Sequence, residues 1–523
     1  LCDRRQRQMC IRDRYLDSQL KGGDLIKVEK DNAFRALIRN MQTMEEHKFQ
    51  IPREQEKILR GYQKEGFYWI KTLKHNQFGG ILADDMGLGK TLQVITFLWS
   101  EFQESAPGEN RRALVITPAS LVFNWMNEIE RFAPGLPATV VTGDVKERKA
   151  LIKNAGEREV LITSYDLLKR DLKAYQNLDF AVQIIDEAQY IKNHGTQVAK
   201  AVKEIRSEFR LALTGTPVEN RLSELWSIFD FLMPGFLYSY EKFRKEIELP
   251  AVQYSNSDAM ERLQKMIRPF VLRRLKRDVL KDLPDKLEKD MFSPLESEQK
   301  ELYEAHTERL RLMLGMQSDA EFRTSKLQIL AEITRLRQIC CYPGLVYEGY
   351  KGNSSKLEMC MELVQNAVNG GHKLLLFSQF TTMLDVLAVR LKKAKVSFYM
   401  LTGSTSKEKR AQMVHAFNED DTSVFCISLK AGGTGLNLTA ADIVIHYDPW
   451  WNLAVQNQAT DRAHRIGQQN VVSVYRLFMK DTIEERIRAL QERKRELADE
   501  ILSGEGIGQA LISREEVLEL LGR

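Results

Sequence analysis

The sequence contains little cysteine and lacks a long hydrophobic run. Six cysteines occur in 523 residues, without a Cys-x-x-Cys pair. This pattern indicates neither a disulfide framework nor a zinc site, and it predicts that Cys340, Cys360 and Cys426 are buried as small apolar residues. Because no stretch of about 18 uninterrupted apolar residues is present to span a membrane, we expect a cytoplasmic protein.

A strong excess of charge of one sign is also missing. The net charge is only +5, and the pI of about 8.6 lies below the value of roughly 9 that marks strongly basic binding domains. Bulk charge therefore does not point to nucleic acid. Since hydrophobic cores stop growing at roughly 250 to 300 residues, a chain of 523 residues predicts two or more domains.

The first residues differ from the rest of the chain. The sequence begins with Leu1, without Met, and its opening stretch LCDRRQRQMCIRDR is charged and non-periodic. We interpret residues 1–14 as a foreign leader and residues 15–50 as the remnant of an upstream region. On this interpretation the sequence is a fragment of a longer protein.

Short apolar runs alternate with helical stretches from residue 51 onward. The runs are GGILAD, RALVITP, ATVVTG, EVLITSY, VQIID and RLALTG, followed after a gap by HKLLLFS, SFYMLTG, VFCISL, DIVIHYD and VVSVYRLF. Continuously apolar runs are typical of parallel strands covered on both faces, and their alternation with helices predicts an α/β fold with parallel sheets. We expect a first α/β domain at 51–237, a helical insertion and linker at 238–350, a second α/β domain at 351–480, and a helical tail at 481–523.

The motif DDMGLGKT, at residues 84–91, stands between an apolar strand and an apolar helix. Its glycines let backbone N–H groups wrap a phosphate, the helix N-terminus adds a favourable dipole, Lys90 neutralises β/γ charge, and Thr91 ligates magnesium. The pattern GxxxxGK[ST] fails at its first position, Asp84, and the match is to the AxxGxGKT-like form of helicase-type ATPases. We assign Asp85, Gly87 and Gly89 to nucleotide binding. The alternative is a Gly-rich turn between strand and helix.

The motif IIDEAQ, at residues 184–189, supplies carboxylates at the end of an apolar strand. Ligands of an open α/β sheet collect at that end. We expect Asp186 to hold magnesium and Glu187 to polarise the attacking water. Acidic residues are also ordinary loop starters, but both motifs in order, about a hundred residues apart in one α/β unit, indicate ATP hydrolysis with Mg²⁺.

The stretch DPWWNLAVQNQATDRAHRIGQ, at residues 448–468, predicts a helix that stops at Gly467. On that helix Gln458, Arg462 and Arg465 share one face. The two arginines can then serve as fingers that reach a nucleotide held by the first domain, an effect worth about 10³ to 10⁵ in rate. The alternative is a surface helix with a solvated basic face.

Five motifs, taken in chain order, resemble those of the Swi/Snf-type translocases of helicase superfamily two, a chromatin-remodeller-like group. The chain resembles a bacterial-type member of this group. They are DDMGLGKT, DEAQ, LTGTPVEN, SLKAGGTGLNL and DPWWNLAVQNQATDRAHRIGQ, and the similarity covers about residues 51–502. The resemblance implies two RecA-like lobes, ATP hydrolysis, and movement along double-stranded DNA. It also implies that Gln63 contacts adenine, that Thr214 senses the γ-phosphate, and that Gly435 lines the closing cleft.

For DNA contacts, the resemblance implies a set of loops away from the nucleotide. The residues of these loops are Thr117, Ser164, Lys430, Trp450 and Trp451. The resemblance also assigns Gln189, Thr214 and Gln458 either to DNA binding or to the coupling between DNA binding and ATP hydrolysis. Hydroxyls, backbone amides and lysines suit phosphate contacts, which position a protein without reading sequence. For the tryptophans the alternative is core packing. The basic run at 272–286 resembles the inter-lobe linker of the family, and its alternative is a solvated helix face.

Three functions remain open from the sequence. The first is a nucleoid-associated motor that moves on double-stranded DNA and displaces a bound protein, such as a nucleoid protein or a stalled RNA polymerase. The second is a strand-separating RNA or DNA helicase, although TGTP and DPWWN favour the duplex translocases. The third is a catalytically inactive scaffold, against which the intact motif residues argue.

Overall fold

The structure is a computed structural model that describes most of the chain beyond residue 48. The described residues are 49–104, 109, 111–215, 222–253, 257–280, 284, 286–315, 319–432, 436–450, 453–465, 467–489 and 491–492. Almost all of the predicted leader and upstream remnant, and most of the predicted tail, lie outside these ranges. Contacts divide the chain into two compact units, with the division between residues 281 and 282. Within the ranges above, no helix is long and apolar enough to cross a bilayer.

The first unit is built on a parallel sheet. Its strands are β1 Gly80–Leu82, β2 Ala113–Thr117, β3 Ala138–Val140, β4 Val160–Ser164, β5 Phe180–Ile185, β6 Ser207–Leu213 and β7 Val271–Leu272. They lie in the order β3-β4-β2-β5-β6-β1-β7, with every pair parallel. The α-helices are Arg53–Glu56, Gly61–His75, Lys90–Glu104, Val122–Phe132, Val145–Lys153, Tyr165–Tyr175, Gln197–Glu204, Leu222–Leu232, Tyr240–Phe243, Leu249–Gln253, Ser257–Ile267 and Lys276–Val279.

The second unit repeats this plan. Its strands are β8 Lys286–Ser293, β9 Leu374–Ser378, β10 Phe398–Leu401, β11 Val424–Ser428, β12 Ile443–His446 and β13 Val472–Met479. They lie in the order β10-β11-β9-β12-β13-β8, again all parallel. The α-helices are Ser297–Gly315, Asp319–Cys341, Ser355–Asn369, Thr381–Lys393, Lys407–Glu419, Leu429–Gly432 and Leu453–Thr460, with a further helix at 483–489.

The central strands explain why the apolar runs fold as they do. Every residue of β1, β2, β4, β5, β9 and β11 is buried. A strand covered on both faces needs apolar side chains at successive positions, and not only at alternate ones. All eleven runs identified in the sequence form strands, so the predicted α/β fold with two parallel sheets is confirmed.

The interval 238–350 is not wholly helical, contrary to the sequence interpretation. It contains β7, which extends the first sheet beside β1, and β8, which extends the second sheet beside β13. The two strands gave no apolar run for different reasons. β7 has only two residues, and β8 is an edge strand whose residues are mostly exposed or half-buried. The division between the units falls between these two strands.

The described cysteines are free and buried, as predicted for Cys340, Cys360 and Cys426. Next to them in the second unit lies a fully buried ion pair. The ammonium of Lys356 lies 2.7 Å from both carboxylate oxygens of Glu484, and neither side chain is exposed. Burial alone lowers the pKa of Lys356, but the attraction of Glu484 outweighs it and holds that pKa above its ordinary value.

We expect Lys356→Met to destabilise the second unit by about 3 kcal/mol or more, because it leaves a buried carboxylate without its counter-ion. Native-state hydrogen exchange of the β9 amides measures this loss. Adding Glu484→Gln to the same chain should recover much of the protection, since the buried charge is then removed.

The control is Arg390→Met, which breaks an ion pair of similar length between half-exposed side chains. Arg390 lies 2.6 Å from Glu358, and an exposed pair contributes about 1 kcal/mol at most. Equal losses of β9 protection in Lys356→Met and Arg390→Met would contradict the expected cost of the buried charge.

Candidate active site

The phosphate-loop motif forms the turn between β1 and the helix Lys90–Glu104. Gly87 and Gly89 have φ values of 87° and 75°, a region that favours glycine because a Cβ would strain the backbone. The ammonium of Lys90 lies 2.6 Å from the carbonyl oxygen of Asp84 and 3.3 Å from that of Asp85. The loop therefore has the conformation that the motif predicts, with its lysine held at the turn.

Gln63 lies against this loop. Its amide nitrogen donates to the carbonyl oxygen of Leu88 at 3.0 Å, and its amide oxygen accepts from the backbone N–H of Arg60 at 2.9 Å. A Cβ at Gly89 would stand 2.5 Å from that amide nitrogen, so glycine also makes room for the contact. The structure brings Gln63 to the nucleotide loop, while its contact with adenine stays a prediction.

Asp186 lies directly after β5 and receives several donors. Its carboxylate accepts from the indole N–H of Trp125 at 2.9 Å, from the hydroxyl of Thr117 at 3.4 Å and from the backbone N–H of Glu187 at 2.9 Å. Burial raises the pKa of Asp186 above its ordinary value, against the effects of Trp125 and Lys90. Thr117 is itself buried and lies beside the acidic motif, and its contact with DNA stays a prediction.

Glu187 begins a chain of hydrogen bonds that runs to β6. It has a left-handed conformation, φ 52° and ψ 60°, which a non-glycine residue adopts rarely. The amide nitrogen of Gln189 donates to the carboxylate of Glu187 at 2.8 Å. The hydroxyl of Thr214, which follows β6, donates to the amide oxygen of Gln189 at 3.2 Å. Gln189 thus connects the acidic motif to the TGTP motif.

The donors present fit a magnesium ion. Mg²⁺ prefers oxygen ligands and binds through one or two protein groups together with substrate phosphates. As whole residues, Asp186 and Thr91 are half-buried, and Thr91 lies in the first turn of the helix that follows the loop. The two residues predicted to hold the metal are therefore both accessible to a ligand.

In the second unit the predicted helix is shorter than the sequence indicated. It spans Leu453–Thr460, so Arg462 and Arg465 lie after it and do not share a helical face with Gln458. The backbone N–H groups of Arg462 and Ala463 donate to carbonyl oxygens three positions earlier instead of four. Bonds of this shorter kind end the regular α-helical ladder. Gly467 has a positive φ of 106°, as predicted, but it lies well beyond the helix end.

The two arginines have different surroundings. The side chain of Arg462 is almost completely buried. Arg465 is half-buried, and its guanidinium donates to the carbonyl oxygen of Leu436 at 3.1 Å. Between them the ring of His464 contacts the carbonyl oxygen of Pro284 at 2.9 Å. The finger role of both arginines stays a prediction.

The remaining predicted DNA contacts have mixed positions. Ser164 is buried and caps the helix Tyr165–Tyr175 by accepting from the N–H of Leu167 at 3.3 Å. Trp450 is half-buried and packs against the core of the second unit, in line with the packing alternative for that residue. Gln458 is half-buried on its helix, and Lys430 lies in the short helix Leu429–Gly432 with a side chain outside the described part. Gly435 and Trp451 lie outside the described residues.

Sequence reasoning missed the role of Trp125. Trp125 is buried, and its indole donates to a carboxylate 61 positions away. A partner so distant leaves no mark in local spacing. The only available signal was the polar N–H of a tryptophan in an otherwise amphipathic helix, since a buried indole usually finds an acceptor.

Comparison with known families agrees with these motifs. The model of the SNF2-related domain matches residues 62–345, more than half of the chain. The chain belongs to the SNF2-related family. The helicase conserved C-terminal domain matches residues 355–467, which contain most of the second unit's strands. The family resemblance seen in the sequence is thereby confirmed.

Relatives occur in bacteria and in yeast. An uncharacterized ATP-dependent helicase of Mycoplasma pneumoniae is 40% identical over 92% of this chain and 46% of its own length. The putative ATP-dependent helicase/translocase YwqA of Bacillus subtilis is 40% identical over 92% of this chain and 53% of its own. TATA-binding protein-associated factor MOT1 of Saccharomyces cerevisiae is 35% identical over 90% of this chain and 29% of its own length. The chain thus spans about half, or less, of the length of these relatives.

A solved structure of the Sulfolobus solfataricus SWI2/SNF2 ATPase core in complex with dsDNA is also similar. It is 37% identical in sequence, with 85% of this chain and 93% of that chain covered, and the TM-score is 0.43.

We expect Trp125→Phe to weaken magnesium-dependent nucleotide binding by about tenfold, because a hydrogen bond to a charged group contributes about 1.5 to 3 kcal/mol. Without the indole donor the pKa of Asp186, already raised by burial, rises further. A protonated carboxyl is a poor magnesium ligand, so the loss should be larger at pH 6 than at pH 8. Calorimetric titration of ADP with Mg²⁺ at both pH values measures the effect.

The matched control is Trp226→Phe, which removes an indole donor to the carbonyl oxygen of Tyr238 at 3.3 Å. An equal loss of binding in Trp226→Phe, or a loss in Trp125→Phe that does not change with pH, would argue against this role of Trp125.

Proposed function

We propose that this chain is the motor of an ATP-hydrolysing enzyme that translocates on double-stranded DNA and displaces or remodels proteins bound to it. The observation that most supports this proposal is the chain of hydrogen bonds from Glu187 through Gln189 to Thr214. It begins at the acidic motif that follows β5 and ends at the TGTP motif that follows β6, its neighbour in the sheet. A structural connection of this kind suits a site where hydrolysis is linked to movement.

The residues of the first unit divide the chemistry of hydrolysis among them. The backbone of the phosphate loop and Lys90 bind the β- and γ-phosphates, and Glu187 polarises the attacking water. Thr91 and Asp186 hold Mg²⁺, which when bound neutralises charge on the phosphates. Gln63, whose amide already rests on the loop, binds the adenine. Asp85, Gly87 and Gly89 shape the loop itself.

The second unit supplies positive charge to the same reaction. Arg462 and Arg465 act as fingers on the developing charge of the γ-phosphate, and Gly435 lines the cleft that closes around the nucleotide. Phosphoryl transfer depends almost entirely on positioning and on electrostatic stabilisation. Hydrolysis therefore requires both units, and their closure is the step that performs mechanical work.

Double-stranded DNA is the proposed track. Ser164, Lys430, Trp450, Trp451 and Gln458 contact it, with most contacts to phosphate, so that binding is independent of sequence and weakens with salt. Support comes from the SNF2-related family and from the names of its relatives, which include a helicase/translocase and a TATA-binding protein-associated factor. A DNA-bound protein, or RNA polymerase, is the proposed object of the motor.

The test of this function is an ATPase assay with a panel of nucleic acids. We expect double-stranded DNA to stimulate hydrolysis more than single-stranded DNA or RNA, and triplex displacement to detect movement along the duplex. Lys90→Ala should abolish turnover in a chain that remains folded. Stronger stimulation by RNA would favour a strand-separating helicase, and absence of turnover in the wild type would favour an inactive scaffold.

We further expect Gln189→Ala to reduce the stimulation of hydrolysis by DNA at least about fivefold, the lower end of typical coupling effects. Thr214→Val should give a similar reduction. Because both residues act through one chain of hydrogen bonds, the double variant should be little worse than either single variant. The ratio of turnover with and without DNA is the measured quantity.

The control is Gln176→Ala, which breaks an exposed bond to Glu204 of 2.8 Å in the same unit. Additive losses in the double variant, or an equal loss in Gln176→Ala, would show that Gln189 and Thr214 do not act together.

A further inference from the structure

The segment that follows β7 runs directly along the phosphate loop. The backbone N–H of Ala83 donates to the carbonyl oxygen of Leu272 at 2.7 Å, and that of Asp85 donates to the carbonyl oxygen of Arg274 at 3.0 Å. The N–H of Lys276 donates to the carboxylate of Asp85 at 3.0 Å. The beginning of the basic linker run is therefore hydrogen-bonded to the end of β1 and the start of the loop, and is not a solvated helix face.

The side chain of Arg274 reaches back from this segment to Asp84. Its Nε lies 2.8 Å from Oδ1 and its Nη2 lies 2.5 Å from Oδ2 of the carboxylate. Asp84 is completely buried, and the side chain of Arg274 is only 9% exposed. A two-pronged pair of this kind fixes direction as well as distance. Removal of either partner leaves an uncompensated charge in the interior.

Arg274 also contacts the elements on both sides of the loop. Nη2 donates to the amide oxygen of Gln93 at 2.8 Å, on the helix after the loop. Nη1 donates to the carbonyl oxygen of Tyr62, and the guanidinium lies 5.2 Å from the centre of the Tyr62 ring. The hydroxyl of Tyr62 in turn donates to the carbonyl oxygen of Leu88 within the loop. One side chain thus joins the helix before the loop, the strand end and the helix after it.

Asp84 is the position where the phosphate loop departs from the strict pattern, which has glycine there. Its carboxylate is held by Arg274, and its carbonyl oxygen lies 2.6 Å from the ammonium of Lys90. Two contacts therefore lead from the linker to the lysine that binds phosphate. The departure from the pattern is explained by an aspartate that anchors the loop to a distant segment.

A glycine on the neighbouring helix leaves the space that this arrangement needs. A Cβ at Gly66 would collide with the amide oxygen of Gln93 and would stand 2.9 Å from Nη2 of Arg274. Gly66 is buried in the middle of the helix Gly61–His75, where glycine costs roughly 0.5 to 1 kcal/mol relative to alanine. The helix is therefore less stable at Gly66, where the missing side chain leaves room for the guanidinium of Arg274.

We infer that Arg274 is a positioning residue of the nucleotide site, which sets the phosphate loop and Lys90 through its pair with Asp84. The inference rests on the proposed function, since it assumes that the loop binds ATP. It assigns to the linker an indirect part in nucleotide binding, because the segment that leaves the first unit also fixes the geometry of the loop.

The test compares nucleotide affinity and turnover in three variants of the full chain. Arg274→Met leaves Asp84 buried without a counter-ion, and we expect it to weaken binding of a fluorescent ATP analogue at least about tenfold, equivalent to about 1.4 kcal/mol. The double variant Arg274→Met with Asp84→Gly removes both charges and restores the strict glycine pattern. We expect it to bind the analogue more than about threefold more weakly than the wild type, because the buried charge is gone but the loop has also lost its anchor.

The third variant is the matched control Arg148→Met. Arg148 forms a similar buried pair with Asp171, with Nε 2.6 Å from Oδ2 and Nη2 3.0 Å from Oδ1, in another part of the first unit. It should lose thermal stability and keep its nucleotide affinity. An Arg274→Met chain that binds nucleotide as well as Arg148→Met does would overturn the inference. So would a folded double variant that binds the analogue within about threefold of the wild type, whether or not Arg274→Met folds, because the site would then not need the anchor.

The outcome for the proposed function is separate. A wild-type chain that binds the analogue but hydrolyses no ATP with any nucleic acid contradicts the proposed function, and the affinities still decide the role of Arg274. A wild-type chain that binds no nucleotide overturns both.

Discussion

The geometry of the first unit depends on the charge pair between Asp84 and Arg274. A carboxylate without contact with water is costly unless a partner is held against it. The partner comes from a segment 190 positions later in the chain, and the strand that carries this segment pairs with β1. Sheet pairing and charge pairing therefore reinforce one another at the place where the phosphate loop begins.

The same edge of the first sheet collects the other groups of the site. β1, β5 and β6 are parallel, with β6 between the other two, so their carboxyl ends bring the phosphate loop, the acidic motif and the TGTP motif together. Trp125 and Thr117 hold the carboxylate of Asp186 from a neighbouring strand and helix. The groups proposed for catalysis are thus placed by backbone topology, and the carboxylate of Asp186 is oriented by side chains of a neighbouring strand and helix.

Local patterns in the sequence were sufficient for most of the fold. Apolar runs marked the buried strands because those strands are covered on both faces, and the motifs marked the phosphate loop because its glycines adopt positive φ values. Tertiary contacts were not visible in this way. The edge strand Lys286–Ser293 has no apolar run. The helix after Trp450 ends early, with hydrogen bonds to carbonyl oxygens three positions back in place of four. The partners of Asp84 and Asp186 are far away in sequence.

The late position of Arg274 has a consequence for biosynthesis. While the chain emerges from the ribosome, the strands from β1 to β6 and the phosphate loop are complete well before residue 274 is made. Domains generally fold as units during synthesis, and this unit lacks the counter-ion of Asp84 until its last strand has appeared. The nascent first unit therefore acquires its finished loop only when the connection to the second unit is already being produced, so the order of translation itself delays the maturation of the site.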